Sequence, residues 1–280
     1  MFISIIMGLL ASFMAAPPSG AQALPGVNVK GLQAPEIAAL TKLLSEGACP
    51  CNPKTSLHAC IVDTSCPAAT ALANFGADQF REGLGVDEVN EKVVRKYIND
   101  FVRYRFDVSK SPRKGPKDAS IVLVEFADFE CPHCAEMSVI INKLVKRFPK
   151  RLAVVFKQFP LRDFGASKTA ALAALAAQRQ ARFWQMHDLL FQNQGQLNEA
   201  RYLKFATELG IDVERFKKDM GDVALLQQIE ADRKEAMEAN ISGTPAIYVN
   251  GRMYNDEKSE EKLAKFITDI MKESKADSPK

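Results

Sequence analysis

Apolar residues recur at helical spacing through the N-terminal part of the chain. From Asp87 to about Arg105 they fall at i, i+3, i+4 and i+7, which places them on one face of a helix. This apolar stripe consists of Val86, Val89, Val93, Val94, Tyr97, Ile98, Phe101 and Val102. Two more helices are predicted, from Pro35 to Glu46 and from Pro67 to about Glu82, because a glycine follows each segment. Residues 24–106 are therefore predicted to form a small all-α domain of three helices.

After residue 118 the pattern changes to short apolar runs that alternate with helical stretches. The predicted strands are Ile121 to Ala127, Leu152 to Gln158, Ala246 to Asn250, and a short strand after the Asn250-Gly251 pair. The predicted helices are Cys131 to Phe148, a block of helices within about 163–240, and Glu257 to about Lys272. A β-α-β start followed by a hairpin and a helix predicts an α/β fold with a thioredoxin-like sheet. The helical block is then an inserted subdomain.

Composition divides the chain between these two regions. Residues 107–118 are rich in Ser, Lys, Pro and Gly and carry few apolar side chains, which predicts a linker. The second domain is then expected at 119–273, with a short tail at 274–280. The chain has 280 residues, 47% of them hydrophobic, so it is long enough for one or two globular domains. A net charge of +3 without a concentrated basic patch argues against nucleic acid as a partner.

Residues 1–23 have the pattern of a secretory signal peptide. An apolar run, broken by glycine, serine and two prolines, is followed by Ala21-Gln22-Ala23, an A-x-A cleavage pattern. The run is shorter than the roughly 20 residues that a membrane anchor needs, although the usual basic residues before it are missing. Six cysteines, an even number, also agree with an oxidising compartment. We therefore expect a periplasmic or otherwise extracytoplasmic location.

The tetrapeptide Cys131-Pro132-His133-Cys134 lies between a predicted strand and a predicted helix. Two cysteines at this spacing on the first turn of a helix lie on one face, close enough to form a disulfide. The leading sulfur is near unpaired backbone N–H groups and the positive end of the helix dipole, which favours its thiolate. A zinc site would need a second pair of ligands, and no cysteine follows Cys134. The tetrapeptide therefore predicts a redox dithiol and no metal.

Three segments resemble the DsbA-like branch of the thioredoxin superfamily. They are the stretch from Ala119 to Cys134, with its Cys-Pro-His-Cys tetrad; Phe183-Trp184-Gln185-Met186-His187-Asp188-Leu189-Leu190-Phe191; and Ser242-Gly243-Thr244-Pro245-Ala246-Ile247-Tyr248-Val249-Asn250-Gly251. The resemblance covers about residues 108–272. It implies that Pro245 is a cis-proline beside the dithiol and that the backbone of Thr244 binds a substrate strand. It also implies that Glu125 is a buried acid that exchanges a proton with the inner cysteine.

Roles within the tetrad follow from position and chemistry. Cys131 is expected to be the exposed sulfur that forms a mixed disulfide, and Cys134 the buried resolving thiol. His133 lies between them and can donate to the Cys131 sulfur, which would make the disulfide more oxidising. Pro132 completes the tetrad. The alternatives are a solvent-facing His133 and an exposed Glu125 at the end of its strand.

Four cysteines fall between the first two predicted helices: Cys49, Cys51, Cys60 and Cys66. They allow three disulfide pairings, of which a bond within Cys49-Pro50-Cys51 is the least favourable. Two structural disulfides, a second redox centre, and a metal site with His58 remain open. Together with Tyr97-Ile98-Asn99-Asp100-Phe101-Val102-Arg103-Tyr104, these cysteines are similar to the small three-helix CcmH thiol reductases of cytochrome c maturation, which carry C-x-x-C where this chain has C-x-C.

We therefore expect an exported thiol–disulfide oxidoreductase, foremost a dithiol oxidase for extracytoplasmic proteins. The expected partners are proteins with cysteine pairs and a membrane redox protein that reoxidises the dithiol, with no cofactor. Homo-oligomerisation through the N-terminal domain, as in ScsC-like proteins, is a further expectation. The alternatives are a reductase or isomerase, with cytochrome c maturation as one setting, and a chaperone whose cysteines hold copper or zinc.

Overall fold

The computed structural model describes residues 24–162 and 165–276. The expected signal peptide lies outside the described residues. Within them the chain divides into two compact units between Val102 and Arg103, which places residues 107–118 inside the second unit. No helix in these described stretches combines the length and the apolar character needed to cross a membrane.

The described part of the N-terminal unit, residues 24–102, contains four helices where the sequence predicts three. They are α1 (Ala34–Glu46), α2 (Leu57–Val62), α3 (Pro67–Arg81) and α4 (Val86–Phe101). The additional helix α2 has six residues, too few to show a helical period, and the Ser56 side chain caps it by accepting from Ala59 N at 3.1 Å. The other three lie where the sequence places them, except that α4 ends at Phe101 rather than near Arg105.

The second unit is built on a five-stranded sheet in the order β1-β3-β2-β4-β5. Its strands are β1 (Arg113–Lys114), β2 (Ile121–Ala127), β3 (Leu152–Gln158), β4 (Ala246–Val249) and β5 (Arg252–Met253). β2 and β3 are parallel, and the other pairs are antiparallel. The central strands β2 and β3 are almost wholly buried and mainly apolar, because helices cover both faces of the sheet. The predicted α/β class is confirmed.

Seven helices surround the sheet within the described part of this unit. They are α5 (Pro132–Arg147), α6 (Ala166–Gln178), α7 (Phe183–Gln192), α8 (Glu199–Glu208), α9 (Val213–Met220), α10 (Val223–Glu238) and α11 (Glu260–Ala276). α6 to α10 form the predicted helical insertion between β3 and β4. On β2, Leu123 packs in a core with Ile267 of α11, whereas Phe126 packs in a second core with Ala236 of α10. The last helix extends to Ala276, into residues expected to be a tail.

Two local features connect the sheet strands. Asn250 and Gly251 both have positive φ, as the two-residue hairpin between β4 and β5 requires. The Asn250 side chain also accepts from Val122 N at 2.8 Å and donates to Ser120 O at 3.0 Å, which ties the hairpin to the edge of β2. β1 lies within the stretch expected to be a linker and pairs with β3. The sequence does not predict this strand, because two residues are too few to show an alternating pattern.

A buried charge cluster holds α10 against β3. Lys157 Nζ lies 2.6 Å from Asp232 Oδ1, 2.6 Å from Glu235 Oε2 and 2.7 Å from the Asp107 carbonyl oxygen. Burial raises the pKa of Asp232 to about 6, and the positive charge of Lys157 opposes that rise. Each charge in the cluster therefore depends on its partners for the solvation that water would otherwise supply.

We predict that Lys157→Met destabilises the protein by about 3–5 kcal/mol, because it leaves the Asp232 carboxylate buried without its cation. Urea unfolding measures this loss. Lys168→Met is the matched control, because Lys168 pairs at 3.5 Å with the half-exposed Glu230. A loss in Lys157→Met no larger than in the control would contradict the assigned role of the cluster.

Candidate active site

Cys131 is the N-cap residue of α5, directly after the turn that follows β2. Its backbone N–H donates to Asp128 O at 3.1 Å, and its carbonyl accepts from Cys134 N at 3.0 Å. Pro132 takes the first helical position, where a missing N–H breaks no helical hydrogen bond. Cys131 is partly exposed and Cys134 is fully buried, and both are free thiols. An attacking sulfur must be accessible to substrate, as Cys131 is, whereas a resolving sulfur can be buried, as Cys134 is.

The loop before β4 lies against the dithiol. The Thr244–Pro245 peptide bond is cis, and the Cys131 thiol donates to the Thr244 carbonyl oxygen at 3.4 Å. The antiparallel pairing of β2 with β4 opposes Phe126 to Ala246, so the end of one strand lies beside the start of the other. The structure thus brings together Cys131, Thr244 and Pro245, which are distant in sequence.

Glu125 lies on β2 and is 1% exposed. Because burial removes the hydration of its carboxylate, the pKa of Glu125 rises to about 8. Burial, and then the negative charge of Glu125, raise the pKa of the Cys134 thiol well above its ordinary value. At neutral pH both groups are therefore mainly protonated in the reduced protein, and the two sites are coupled by charge. Among the described residues, Glu125 Oε1 has no hydrogen-bond partner.

The His133 side chain extends into solvent. It is 73% exposed, and Nδ1 lies 3.4 Å from Glu136 Oε2 one turn further along α5. The Cys131 sulfur bonds instead to the Thr244 carbonyl oxygen. The solvent-facing alternative describes His133 in this structure, because the second residue between the cysteines lies on the outer side of the helix.

The helical insertion supplies contacts that sequence reasoning missed. The Gln194 side-chain amide donates to Phe129 O at 2.8 Å and to Cys131 O at 2.9 Å. Glu130 Oε2 accepts from Ser167 N at 2.9 Å, at the start of α6. Both contacts hold the turn that carries Cys131. No sequence signal indicates Gln194, whereas an acid next to the tetrad and a helix start that needs an acceptor could have indicated Glu130.

The cysteines of the N-terminal unit form two disulfides, Cys49–Cys60 and Cys51–Cys66. Each cysteine of the Cys-Pro-Cys tripeptide thus bonds outside it. The sulfurs of Cys49, Cys51 and Cys66 lie within 4.8 Å of one another, a group that does not include His58. With all four sulfurs in disulfides, this unit offers no thiolate to a metal in this state.

A family model described as Thioredoxin matches residues 107–269. Among curated proteins, the Na(+)/H(+) antiporter NhaA 1 of Salinispora arenicola is 35% identical over 163 residues, 58% of this chain and 25% of that protein. The antiporter NhaA of Herminiimonas arsenicoxydans is 36% identical over 139 residues, half of this chain and 22% of that protein. The chain spans about a quarter of the length of the curated relatives it matches.

Solved structures share the architecture of the second unit. A thioredoxin-like oxidoreductase from Silicibacter pomeroyi has 27% identity and a TM-score of 0.54, covering 59% of this chain and 93% of that one. Oxidised BdbD from Bacillus subtilis has 25% identity and a TM-score of 0.55, covering 61% of this chain and 98% of that one. The catalytic domain of Proteus mirabilis ScsC has the same fold at 24% identity and a TM-score of 0.53, covering 60% of this chain and 92% of that one.

We predict that Glu125→Gln removes a pH-dependent loss of stability. Because the folded-state pKa of Glu125 is raised to about 8 from near 4.5, its contribution is fully present below about pH 4.5 and is lost as the pH rises towards 8. The variant should gain on the wild type by at most about 1.4 kcal/mol per pH unit across that range. Denaturant unfolding of the reduced protein at several pH values measures the gain. Glu261→Gln, at an exposed position on α11, is the control, and parallel curves for all three proteins would contradict the prediction.

Proposed function

Because the chain belongs to the thioredoxin family, we propose that it is a thiol–disulfide oxidoreductase that reacts through Cys131 and Cys134. One observation carries the proposal. A partly exposed thiol at a helix N-terminus faces the carbonyl that precedes a cis-proline, and a buried second thiol lies one turn behind it. This arrangement admits a substrate sulfur to Cys131 alone. Cys134 is the sulfur displaced when the mixed disulfide forms, and in the reverse direction its thiolate releases the substrate.

The reaction is a pair of thiol–disulfide exchanges. A substrate thiolate attacks Cys131 Sγ in the oxidised protein, the Cys131–Cys134 bond breaks, and Cys134 leaves as a thiolate. The second substrate thiolate then attacks the substrate sulfur of the mixed disulfide and releases Cys131. The substrate loses two electrons and gains a disulfide, and the protein gains a dithiol. The Thr244 carbonyl next to Cys131 is available to accept from the backbone of an extended substrate peptide.

Glu125 supplies the proton that the buried sulfur needs. When Cys134 leaves as a thiolate, its burial disfavours the negative charge. Glu125, with a pKa of about 8, is mainly protonated at neutral pH and can pass its proton towards that sulfur. In the reverse direction its carboxylate accepts the proton. Glu125 thereby allows the buried Cys134 to react both as a leaving thiolate and as an attacking thiol.

The oxidase direction is the one we propose, with extracytoplasmic proteins as substrates and a membrane redox protein as the oxidant. The disulfides in the N-terminal unit support the extracytoplasmic setting, because structural disulfides belong to oxidising compartments. A reductase or isomerase is the second candidate. The exposed His133 favours this second candidate. A disulfide is strongly oxidising when the thiolate of its reduced form is stabilised, and the His133 ring contacts Glu136 rather than the Cys131 sulfur.

Cysteine variants test the exchange. We predict that Cys131→Ser loses substrate oxidation and forms no adduct. Cys134→Ser should accumulate mixed disulfides with substrates that already carry a disulfide, because the Cys131 thiolate attacks that disulfide and no Cys134 thiolate is present to release the adduct. Non-reducing gels and mass spectrometry of substrate adducts measure this. The double variant Cys131→Ser/Cys134→Ser should trap nothing, and equal trapping by the two single variants would contradict the assigned order.

Direction is tested separately, by alkylating thiols in cells that produce the full chain. An oxidase should hold Cys131 and Cys134 mainly as a disulfide, because the membrane oxidant continually removes its electrons. A pair found mainly as thiols would overturn the oxidase proposal in favour of the reductase or isomerase, while leaving the exchange chemistry intact.

A further inference from the structure

The two disulfides of the N-terminal unit differ sharply in access. Cys51 is exposed, as are the four residues that follow it, whereas its partner Cys66 is fully buried. Cys49 and Cys60 are also buried, at 0% and 2% exposure. The sulfurs of Cys49, Cys51 and Cys66 all lie within 4.8 Å of one another. The Cys51–Cys66 disulfide thus has one exposed cysteine and one buried cysteine, and it lies beside the Cys49–Cys60 disulfide, in which both cysteines are buried.

We propose that these cysteines form a second thiol-exchange site, where external thiols attack Cys51 and the Cys49–Cys60 disulfide is the inner acceptor. The ligand class is small thiols and the exposed cysteines of peptides or unfolded proteins. This site is separate from Cys131 and Cys134 and works without them.

In the first step an external thiolate attacks Cys51 Sγ. The Cys51–Cys66 bond breaks, an external sulfur–Cys51 bond forms, and Cys66 leaves as a thiolate. Attack at Cys51 is selected by access, because the other sulfurs are covered. Cys66 is also a suitable leaving group, since it is the N-cap residue of α3, a 15-residue helix whose unpaired N–H groups and dipole favour a negative charge.

In the second step the Cys66 thiolate attacks Cys49 Sγ. A Cys49–Cys66 bond forms, the Cys49–Cys60 bond breaks, and Cys60 leaves as a thiolate. From within 4.8 Å, the sulfurs have less than about 3 Å to close to reach bonding distance. Thr55 Oγ1 donates to Asn52 O at 3.0 Å and lies 3.3 Å from Cys60 Sγ, so its hydroxyl hydrogen can turn from that carbonyl to the released thiolate.

In the third step a second external thiolate attacks the external sulfur of the mixed disulfide. It leaves with that sulfur as a disulfide, and Cys51 is released as a thiolate that takes a proton from solvent. Two external thiols have then lost two electrons. The N-terminal unit has gained them as thiols on Cys51 and Cys60, and retains one disulfide, Cys49–Cys66. We call the transfer of exchange from Cys51–Cys66 to Cys49–Cys60 the relay. The new Cys49–Cys66 bond distinguishes this relay from simple opening of the Cys51–Cys66 disulfide.

The test uses the full chain with Cys131→Ser and Cys134→Ser, so that only the N-terminal cysteines can react. The folded protein is incubated with reduced glutathione, quenched with acid, alkylated and mapped by mass spectrometry. We expect a glutathione adduct on Cys51 that is absent from Cys49, Cys60 and Cys66, followed by a Cys49–Cys66 bond with alkylated Cys51 and Cys60. Circular dichroism establishes that the protein stays folded throughout.

Two variants in the same background separate the steps. Cys49→Ala/Cys60→Ala removes the inner disulfide and should still form the Cys51 adduct, now with Cys66 left as a thiol. Thr55→Val removes the hydroxyl and should slow the appearance of Cys49–Cys66 without slowing the adduct. The exchange site is overturned if both disulfides stay intact until the protein unfolds, or if the first adduct falls on a buried cysteine. The relay is overturned if Cys66 becomes free while Cys49–Cys60 persists.

Discussion

The antiparallel pairing of β2 with β4 is the interaction on which the candidate active site depends. It opposes Phe126 to Ala246 and Glu125 to Ile247, so that residues far apart in sequence meet at one end of the sheet. Cys131, which follows β2, thereby reaches the Thr244 carbonyl just before β4, 113 residues later. The Asn250 side chain reinforces this register by bonding to the backbone on both sides of Ile121. A shift of one residue would turn every side chain of β4 to the other face and disassemble the site.

Burial then differentiates groups that are chemically alike. Cys131 and Cys134 are three residues apart, yet one thiol contacts solvent and the other lies in the core with Glu125. The low-dielectric surroundings raise the pKa of both inner groups, which keeps them protonated until a reaction creates charge there. The Gln194 amide binds the backbone of the turn at Cys131. The Glu130 carboxylate ties the same turn to the start of α6 by accepting from Ser167 N. The inserted helices therefore support the site as well as enlarging the core.

The N-terminal unit is small, so the apolar surface that it can bury contributes only limited stability. Its buried cluster combines aliphatic residues with three of the four disulfide-bonded cysteines. The fourth, Cys51, is exposed. Disulfides that close loops of this size stabilise a fold by about 3 kcal/mol, mainly by restricting the unfolded chain. The same pairing leaves one cysteine, Cys51, exposed to solvent beside a second disulfide. Stability and exchange chemistry are therefore combined in one cluster, and the sequential opening we propose would retain one covalent link throughout.

Local patterns in the sequence determined much of this protein. They predicted β2, α5, β3, the helical insertion and the Asn250-Gly251 hairpin, and they located the dithiol at the junction of a strand and a helix. Periodicity and turn residues indicate backbone conformation over a few neighbouring residues, which is enough for these features. Short elements escaped them, since the two residues of β1 and the six of α2 contain no full period. Only the tertiary structure decided the pairing of the N-terminal cysteines, the exposure of His133, the burial of Glu125 and the contact of Gln194 with Cys131. Each of these depends on which distant segments exclude water from a side chain or reach it, and no local pattern carries that information.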